Sequence, residues 1–558
     1  MIRVATSSEM QDLDRRAAVE CGIPSLLLME NAGAETVREL LAGVPEAARS
    51  HVLVLCGRGN NGGDGFVIAR RLLGRGLSVR TILLARREDV RGDARINLDI
   101  LGKLGASPIE IGARGDLPVV EDAIGSAGLV VDALLGTGAQ GPARGLVADA
   151  IERVNRSGRP VVSVDIPSGL GADRPEPPGP AVRASLTVTF ALPKRSLVLF
   201  PAALHAGAVR VVDIGIPRSL WADTPMDVGL LEPADVVPAF PARAAAAHKG
   251  TFGHVLVIAG SAGKTGAAAL AALGALRVGA GLVTLAVPAS LHDIVETKLT
   301  ETMTVPVPET EARTIAREAL DALLDLAQGK DAVAIGPGLG THPSTHALVR
   351  ELVTRLPIPL VVDADGINAL AGADDCLRRA AGPRVLTPHP GECSRLLGLP
   401  PDAVLRDRIP LVQKAVADLR LTLVLKMART LVGHPARGVS IVPTGNPGMG
   451  TAGTGDVLTG LIAGLIARGV EPLLAARAGA YVHGLAGDLA AERLGQEAMI
   501  AGDLLERVPE AIRRVKAGSA RGDLATRQPG DWAHERPGNL ATGRFGDWET
   551  GRHGQTCS

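Results

Sequence analysis

Two series of short apolar runs, separated by stretches with helical periodicity, give this chain its order. The first runs from about residue 51 to 215 and comprises "VLVLC", "SVRTILL", "LVVDA", "VVSVDI", "LTVTFA" and "VRVVDIG". Runs of this length with no polar face read as strands of a parallel sheet covered on both sides by helices. The second begins with "HVLVIAG" and continues through "LVTLAV", "DAVAIGPGLG", "PLVVDADG", "RVLTPHPGE" and "LTLVLK". Two helical stretches follow it, "DVLTGLIAGLIARG" and "PLLAARAGAYVHGLAGDLAAERL". Strand and helix in alternation predict an α/β fold class with two α/β/α domains. Ahead of the first series, Ser7 or Ser8 is placed to cap a helix that carries Met10, Leu13 and Ala17 on one face.

Between residues 216 and 248 the periodicity fades into a proline-rich stretch, so an interdomain linker is expected over 218–244. The pattern stops again after about residue 517, where "LATRQPGDW" (524–532) recurs imperfectly as "LATGRFGDW" (540–548). Two short Gly/Pro-rich copies cannot build a core, and 517–558 is expected to be a disordered tail.

Composition narrows the function classes. The chain has 558 residues, enough for about three or four domains, and 59 Lys plus Arg balance 59 Asp plus Glu. That balance offers no field for nucleic acid or an anionic membrane, and 2% aromatic residues leave little for base stacking. Small molecules are the expected partners. Five scattered cysteines with no CxxC spacing argue against a disulfide framework or a zinc site and fit a reducing cytoplasm. The start, "MIRVATSSEMQDLDRR", has no apolar core of signal-peptide length, so secretion is not expected. The longest apolar candidate for a membrane span, Ala267 to Leu291, is interrupted by Arg277 and Pro288.

Chemistry gathers at the ends of predicted strands. "VLVLC" runs into Gly57-x-Gly59-x-x-Gly62, a turn that lets backbone amides approach an anion at a helix amino terminus. A dehydrogenase also needs an acid at the end of the next strand, and here that strand ends in Arg86-Arg87 before Glu88-Asp89. The turn itself holds Asn60, Asn61 and Asp64. Asp132 stands at the end of another strand just ahead of Gly136-Thr137-Gly138, and Asp165 and Ser168 follow a third. Asp132 and Asp165 read either as ligand-binding groups at a shared sheet edge or as caps and turn formers.

In the second series, "AGSAGKTGAA" misses the P-loop pattern because Ile258 stands where its first glycine belongs. The stronger signal is "GNPGMGTAGTGDVLTGLIAGL", in which Gly453 and Gly455 turn the chain into a helix with Asp456 in its first turn. A carboxylate beside such an amide nest can take a proton from a substrate hydroxyl while the nest stabilises a phosphoryl group; it can also simply cap the helix. His389 alone reads as a turn residue, and Asp363 and Asp365 as metal-proximal groups or strand-end caps.

Over residues 1–217 the "LMENAG" helix, "NNGGDG", "DALLGTG" and "DIPSG" resemble the NAD(P)H-hydrate epimerases. Over 245–516, "KGTFGHVLVIAGSAGKTGAA", "GPGLG", "VVDADGINAL", "LTPHPGE" and "GNPGMGTAGTGD" resemble the ADP-dependent NAD(P)H-hydrate dehydratases. The resemblance implies an amino-terminal Rossmann-like fold and a carboxy-terminal ribokinase-like fold. It also implies substrates that are hydrated NADH and NADPH (NADHX and NADPHX), with ADP as co-substrate.

For the first domain it implies substrate contacts at Asn60, Asn61, Gly62, Gly63 and Asp64, along Gly136, Thr137, Gly138, Ala139, Gln140, Gly141 and Pro142, and at Asp165, the candidate acid/base. Asn61, Asp132 and Ser168 would hold a potassium ion. For the second it implies hydrate contacts at Ala267, Gly338, His389 and Asp456, and nucleotide contacts at Lys426, Met427, Ala428, Arg429, Thr430 and Gly455, with magnesium carried by the phosphates. Met427 departs from the glycine that usually follows this lysine. A homo-oligomer is expected, with no nucleic-acid or membrane partner. The alternatives are a vitamin or sugar kinase fused to a Rossmann-like domain, and a binding or scaffold role for the first domain.

Overall fold

The computed structural model describes residues 1–520. The expectations for residues 521–558, including the repeated "LAT" motif and Cys557, lie outside the described residues. The last helix, Ala501–Ala520, carries regular structure past residue 517, where the tail was expected to begin.

The first part of the chain contains β1 (Ile2–Arg3), β2 (His51–Cys56), β3 (Ser78–Leu83), β4 (Ile109–Glu110), β5 (Leu129–Ala133), β6 (Val161–Val164), β7 (Leu186–Phe190) and β8 (Ala208–Val212). Strands β2 to β8 form an all-parallel sheet in the order β4-β3-β2-β5-β6-β7-β8. The chain works outward from β2, then returns to β5 on the other side, which is the Rossmann type of winding. Alternate residues of β2 serve opposite cores: Val52, Val54 and Cys56 pack into one layer, Leu53 and Leu55 into the other. Burial on both faces is why "VLVLC" carries no polar alternation.

The second part contains β9 (Val228–Leu230), β10 (His254–Ile258), β11 (Leu282–Pro288), β12 (Met303–Val307), β13 (Ala332–Ile335), β14 (Leu360–Val362), β15 (Arg384–Leu386), β16 (Thr422–Leu425), β17 (Leu431–His434) and β18 (Gly438–Ile441). Its sheet has the order β1-β9-β18-β17-β16-β15-β14-β13-β10-β11-β12. From β12 to β16 the pairs are parallel, and β17 is antiparallel to both its neighbours. In β10, Val255 and Val257 face one core while Leu256 and Ile258 face the other.

The stretch expected as a linker is more regular than its prolines suggested. It supplies β9, which pairs parallel with β18, and β1 from the chain's start pairs antiparallel with β9. The first helix, Ser7–Cys21, buries Met10, Leu13 and Ala17 as expected. Its cap is Thr6, one residue ahead of the serines: Thr6 Oγ1 accepts from the Glu9 amide at 3.2 Å while Glu9 accepts from the Thr6 amide at 2.7 Å. Ser7 is drawn instead to Asp173, to which its amide donates at 2.6 Å.

Candidate functional site

Both sheets change winding direction once, between β2 and β5 and between β10 and β13, and open α/β sheets bind ligands in the crevice at that place. The predicted chemistry stands at these two crevices.

At the first, β2 ends at Cys56 and the chain turns into helix Asn60–Leu73. A Cβ at Gly62 would stand 1.9 Å from the Gly57 carbonyl oxygen, so only glycine closes this turn. The turn aims the first amides of the helix at the sheet edge. Asn61 donates to the Leu135 carbonyl at 3.0 Å, and Ser168 Oγ accepts from the Leu135 amide at 2.8 Å. Asp132 accepts from the Ser163 hydroxyl at 2.8 Å and from the Ser168 amide at 2.9 Å. Asn61, Asp132 and Ser168 therefore gather around one stretch of backbone. Burial raises the Asp132 carboxyl, against the pull of its hydrogen bonds from Ser168 and Ser163. The loop from Gly136 to Pro142 rests on this group, with Gly136 so close to Asn61 that a Cβ would lie 3.2 Å from its Cβ. Gly63 and Asp64 are buried beneath the turn, and Asn60 is exposed at its start.

Asp165 follows β6 with φ of +65°, a backbone conformation costly for a residue with a side chain. Its Oδ1 accepts from Thr189 Oγ1 at 3.1 Å, from the Phe190 amide at 3.3 Å and from the Lys194 ammonium. Lys194, 1% exposed, also donates to Thr189 Oγ1 at 2.9 Å and to the Phe190 carbonyl at 3.1 Å. Burial first, then the charges of Asp165 and Asp14, push Asp64 well above the carboxylate range, against the pull of Lys194. Asp14 reaches solvent, yet its crowded surroundings first and Asp165 next raise it to about 6. Lys194 and Asp14 were missed in the sequence. Lys194 left one signal, a lone lysine in the apolar stretch "TFALPKRSLVLF".

At the second crevice a cavity of about 450 Å³ is lined by Lys264, Ala267, Gly338, Asp365, Gly453 and Asp456 among others. Gly453 turns the chain at φ +93° into helix Thr454–Ala467. That helix packs on Thr265–Arg277 so tightly that a Cβ at Gly460 would stand 2.0 Å from the Ala271 carbonyl oxygen. Small-residue packing and ligand placement thus coincide, because the close approach carries Asp456 to the cavity beside Ala267. Burial, then the negative charge of Asp363, raises Asp456 to about 7.

Lys426 donates to Asp363 Oδ1 at 2.6 Å and lies 3.9 Å from Glu392. Burial alone would lower its ammonium, but Asp363 and Glu392 outweigh it and raise it. Asp363 stands at the N-cap of helix Ala364–Leu370 but its side chain makes no capping bond; its second oxygen accepts from Thr459 Oγ1 at 2.6 Å. Asp365 pairs with Lys264 at 2.9 Å and accepts from the Gly340 amide at 2.8 Å. A Cβ at Gly455 would lie 3.2 Å from Lys426 Nζ. In the segment from Lys426 to Thr430 the left-handed φ, +62°, falls on Arg429 and not on Met427, so a side chain at 427 fits without backbone strain. Arg429 lies over the ring of Phe200, 5.3 Å from its centroid, and Ala428 is exposed.

His389 stands at the head of helix Pro390–Leu397, and neither it nor Lys426 is part of the cavity lining. Its Nδ1 accepts from the Gly391 amide at 3.0 Å and its Nε2 lies 3.2 Å from Glu392. Glu392, His483 and Asp488 went unnoticed in the sequence. His483, pulled down to about 4 by burial, is neutral and donates to the Thr454 carbonyl at 2.8 Å. Asp488 pins "GNPG" by accepting from the Gly445 amide and Asn446 Nδ2, each at 2.9 Å.

Comparison with known proteins finds a separate family match for each part of the chain. Residues 255–510 match the family described as NAD(P)H-hydrate dehydratase, and residues 25–196 the family described as YjeF-related protein N-terminus. The bifunctional NAD(P)H-hydrate repair enzyme of Moorella thermoacetica is 48% identical over 92% of this chain and 97% of its own length. That of Thermofilum pendens is 38% identical over the same shares of both chains. Among solved structures, an ADP/ATP-dependent NAD(P)H-hydrate dehydratase from Bacillus subtilis, co-crystallized with ATP and Mg2+, is 31% identical with a TM-score of 0.46. It covers 52% of this chain and 99% of its own. With both halves matched and a relative this similar along almost its whole length, the chain belongs to the bifunctional NAD(P)H-hydrate repair enzymes.

Proposed function

We propose that this chain repairs hydrated NADH and NADPH in two steps: the first site interconverts the R and S epimers at C6, and the second dehydrates the S epimer at the expense of ADP. The observation that carries the reading is the placement of Asp456. A carboxyl raised to about 7 sits in the wall of a cavity, between an amide turn and the Lys426 ammonium. A base poised near neutral pH is what removal of a hydroxyl proton requires. Asp456 takes the proton of the C6 hydroxyl, the freed oxygen attacks the terminal phosphorus of ADP, and AMP leaves. Phosphate then departs from C6 as a proton is lost from C5, which restores the double bond of NAD(P)H. Lys426 and the amides at Gly453 to Gly455 face the charge that develops on the transferred group. Magnesium, when bound, neutralises the phosphate oxygens.

Ala267 and Gly338 shape the hydrate side of the cavity, His389 contacts the hydrate, and Lys426 to Thr430 with Gly455 contact the nucleotide. In the first site Asn60 to Asp64, Gly136 to Pro142 and Asp165 hold the hydrate. Asn61, Asp132 and Ser168 can each offer an oxygen ligand; Asn61 and Ser168 bond to the Leu135 backbone and Asp132 accepts from the Ser168 amide, a set that suits a potassium ion. The boundaries 1–217, 218–244 and 245–516, a homo-oligomeric assembly and a cytoplasmic location belong to the same proposal. Among the described residues no helix is long and apolar enough to cross a membrane. The test is turnover of S-NADHX with ADP and magnesium by wild type and Asp456→Asn, read as reduced nicotinamide absorbance. Equal rates in the two proteins would overturn the assignment.

A further inference from the structure

Epimerisation at C6 takes a hydroxyl off a carbinol carbon and returns one to the opposite face. The departing oxygen must gain a proton and leave as water, while the ring nitrogen's lone pair forms the C6–N1 double bond. The incoming water must then lose a proton as its oxygen bonds to C6 and that double bond closes back onto nitrogen. One proton is given and one is taken, so the step balances with no co-reactant, and the two groups regain their starting states by proton exchange through water. Because the two events occur on opposite faces, one carboxyl held in a fixed rotamer serves both poorly. A site built for this step needs two groups in opposite protonation states.

Two carboxyl groups of this crevice differ in their hydrogen-bond partners. Every hydrogen bond that Asp165 accepts converges on Oδ1, and Oδ2 accepts none from the described residues. The side chain keeps 13% of its surface, so Oδ2 is the oxygen open to a ligand. Lys194 spends all its donors on Asp165, Thr189 and the Phe190 carbonyl, and has none left for a substrate. Asp64 sits one turn into helix Asn60–Leu73, buried, and its carboxyl hydrogen-bonds to no described residue. A buried carboxyl with no donor around it is stable only as the neutral acid. The groups that bear on it are Asp14 from the first helix, Cys56 from β2, Asp165 after β6 and Lys194 after β7. Only the last is positive, and its protons are already committed.

We propose that Asp64 is the proton donor and Asp165 Oδ2 the proton acceptor of the epimerase step, with Lys194 a positioning residue that acts through Asp165. This deepens the epimerase reading and rests on it. In the return direction the two carboxyls exchange roles, as microscopic reversibility requires.

The experiment supplies purified R-NADHX to wild type, Asp64→Asn, Lys194→Met, Asp165→Asn and the Lys194→Met/Asp165→Asn double variant, and follows appearance of the S epimer by chromatography. Dehydration of S-NADHX with ADP by each protein, together with its Tm, reports on folding. Asp64→Asn is expected to lower epimerase kcat by about a hundredfold or more, with KM within about threefold and Tm unchanged or higher. Lys194→Met is expected to lower kcat at least about tenfold alone but less than about threefold in the Asp165→Asn background, because a residue acting through another loses its effect once that partner is gone. Wild type that fails to epimerise sinks the epimerase reading itself. Wild type that epimerises alongside a fully active Asp64→Asn sinks the donor assignment. Equal losses from Lys194→Met in both backgrounds sink the positioning role. Should Lys194→Met not fold, Lys194→Gln enters the same cycle, and Asp64→Asn decides the donor independently.

Discussion

The two crevices share a plan and differ in their charge. Each is a glycine turn that delivers a helix amino terminus to the carboxyl edge of a parallel sheet at its switch point, and each puts an aspartate in the first turns of that helix. At the first, the Asp64 carboxyl hydrogen-bonds to no described residue and the nearby lysine is consumed by Asp165. At the second, Asp456 stands beside Lys426, whose own partners, Asp363 and Glu392, hold it fully charged. A turn with acids and a spent lysine is suited to moving protons, whereas one with a retained cation and a poised base is suited to moving a phosphoryl group. Backbone geometry alone does not separate these chemistries; the fate of one lysine does.

The comparison breaks most sharply at Asp456. Asp456→Asn is expected to lower dehydratase kcat by about a thousandfold while leaving epimerase turnover intact, because general-base groups typically contribute 10²–10⁴. Next is Gly62→Ala, whose Cβ meets the Gly57 carbonyl oxygen at 1.9 Å. It should abolish epimerisation and cost about 1–3 kcal/mol of stability by overpacking, with dehydration of the S epimer retained. Lys426→Met should raise the KM for ADP and destabilise the chain by about 3 kcal/mol, because Asp363, 1% exposed, loses its counter-ion. Denaturant unfolding measures the second effect.

A pH series sharpens the comparison. With Asp456 at about 7, dehydratase kcat/KM of wild type should fall about tenfold per unit as pH drops below 7, since only the carboxylate accepts a proton. Stability runs the other way. A carboxyl raised by folding binds more protons in the native than in the unfolded state between its ordinary value and about 7, so its contribution is present at low pH and lost as pH rises through 7. Asp456→Asn should therefore be more stable than wild type at pH 8, and the difference should shrink toward pH 4. The smallest effect is expected from His483→Gln, which keeps a donor for the Thr454 carbonyl and should cost only a few-fold in kcat.

Much of this was legible in the sequence because buried parallel strands announce themselves. "VLVLC", "LVVDA", "HVLVIAG" and "DAVAIG" all stand in sheets where expected, and the glycine turns follow them. Six strands were not legible. β12 carries Pro306 and buries only Val307, β17 and β18 form a short hairpin, and β1, β4 and β9 are two or three residues long. A strand of that length has no periodicity to read, and β9 exists because β18 and β1 flank it. Within the sites, residues in glycine motifs could be found, since a turn constrains its own neighbours. Lys194, His483 and Asp488 could not, because each acts by reaching a partner remote in sequence: Lys194 meets Asp165 across 29 positions, and Asp488 meets Gly445 across 43.

The central claim is that two independent sites in one chain repair both epimers, and one progress curve tests it. Mixed-epimer NADHX is supplied with ADP and magnesium, and the near-ultraviolet absorbance of restored NADH is followed to completion in wild type, Asp165→Asn and Asp456→Asn. The account predicts full conversion by wild type, a plateau at the S fraction in Asp165→Asn, and no conversion in Asp456→Asn. No conversion by wild type with either ADP or ATP would contradict it.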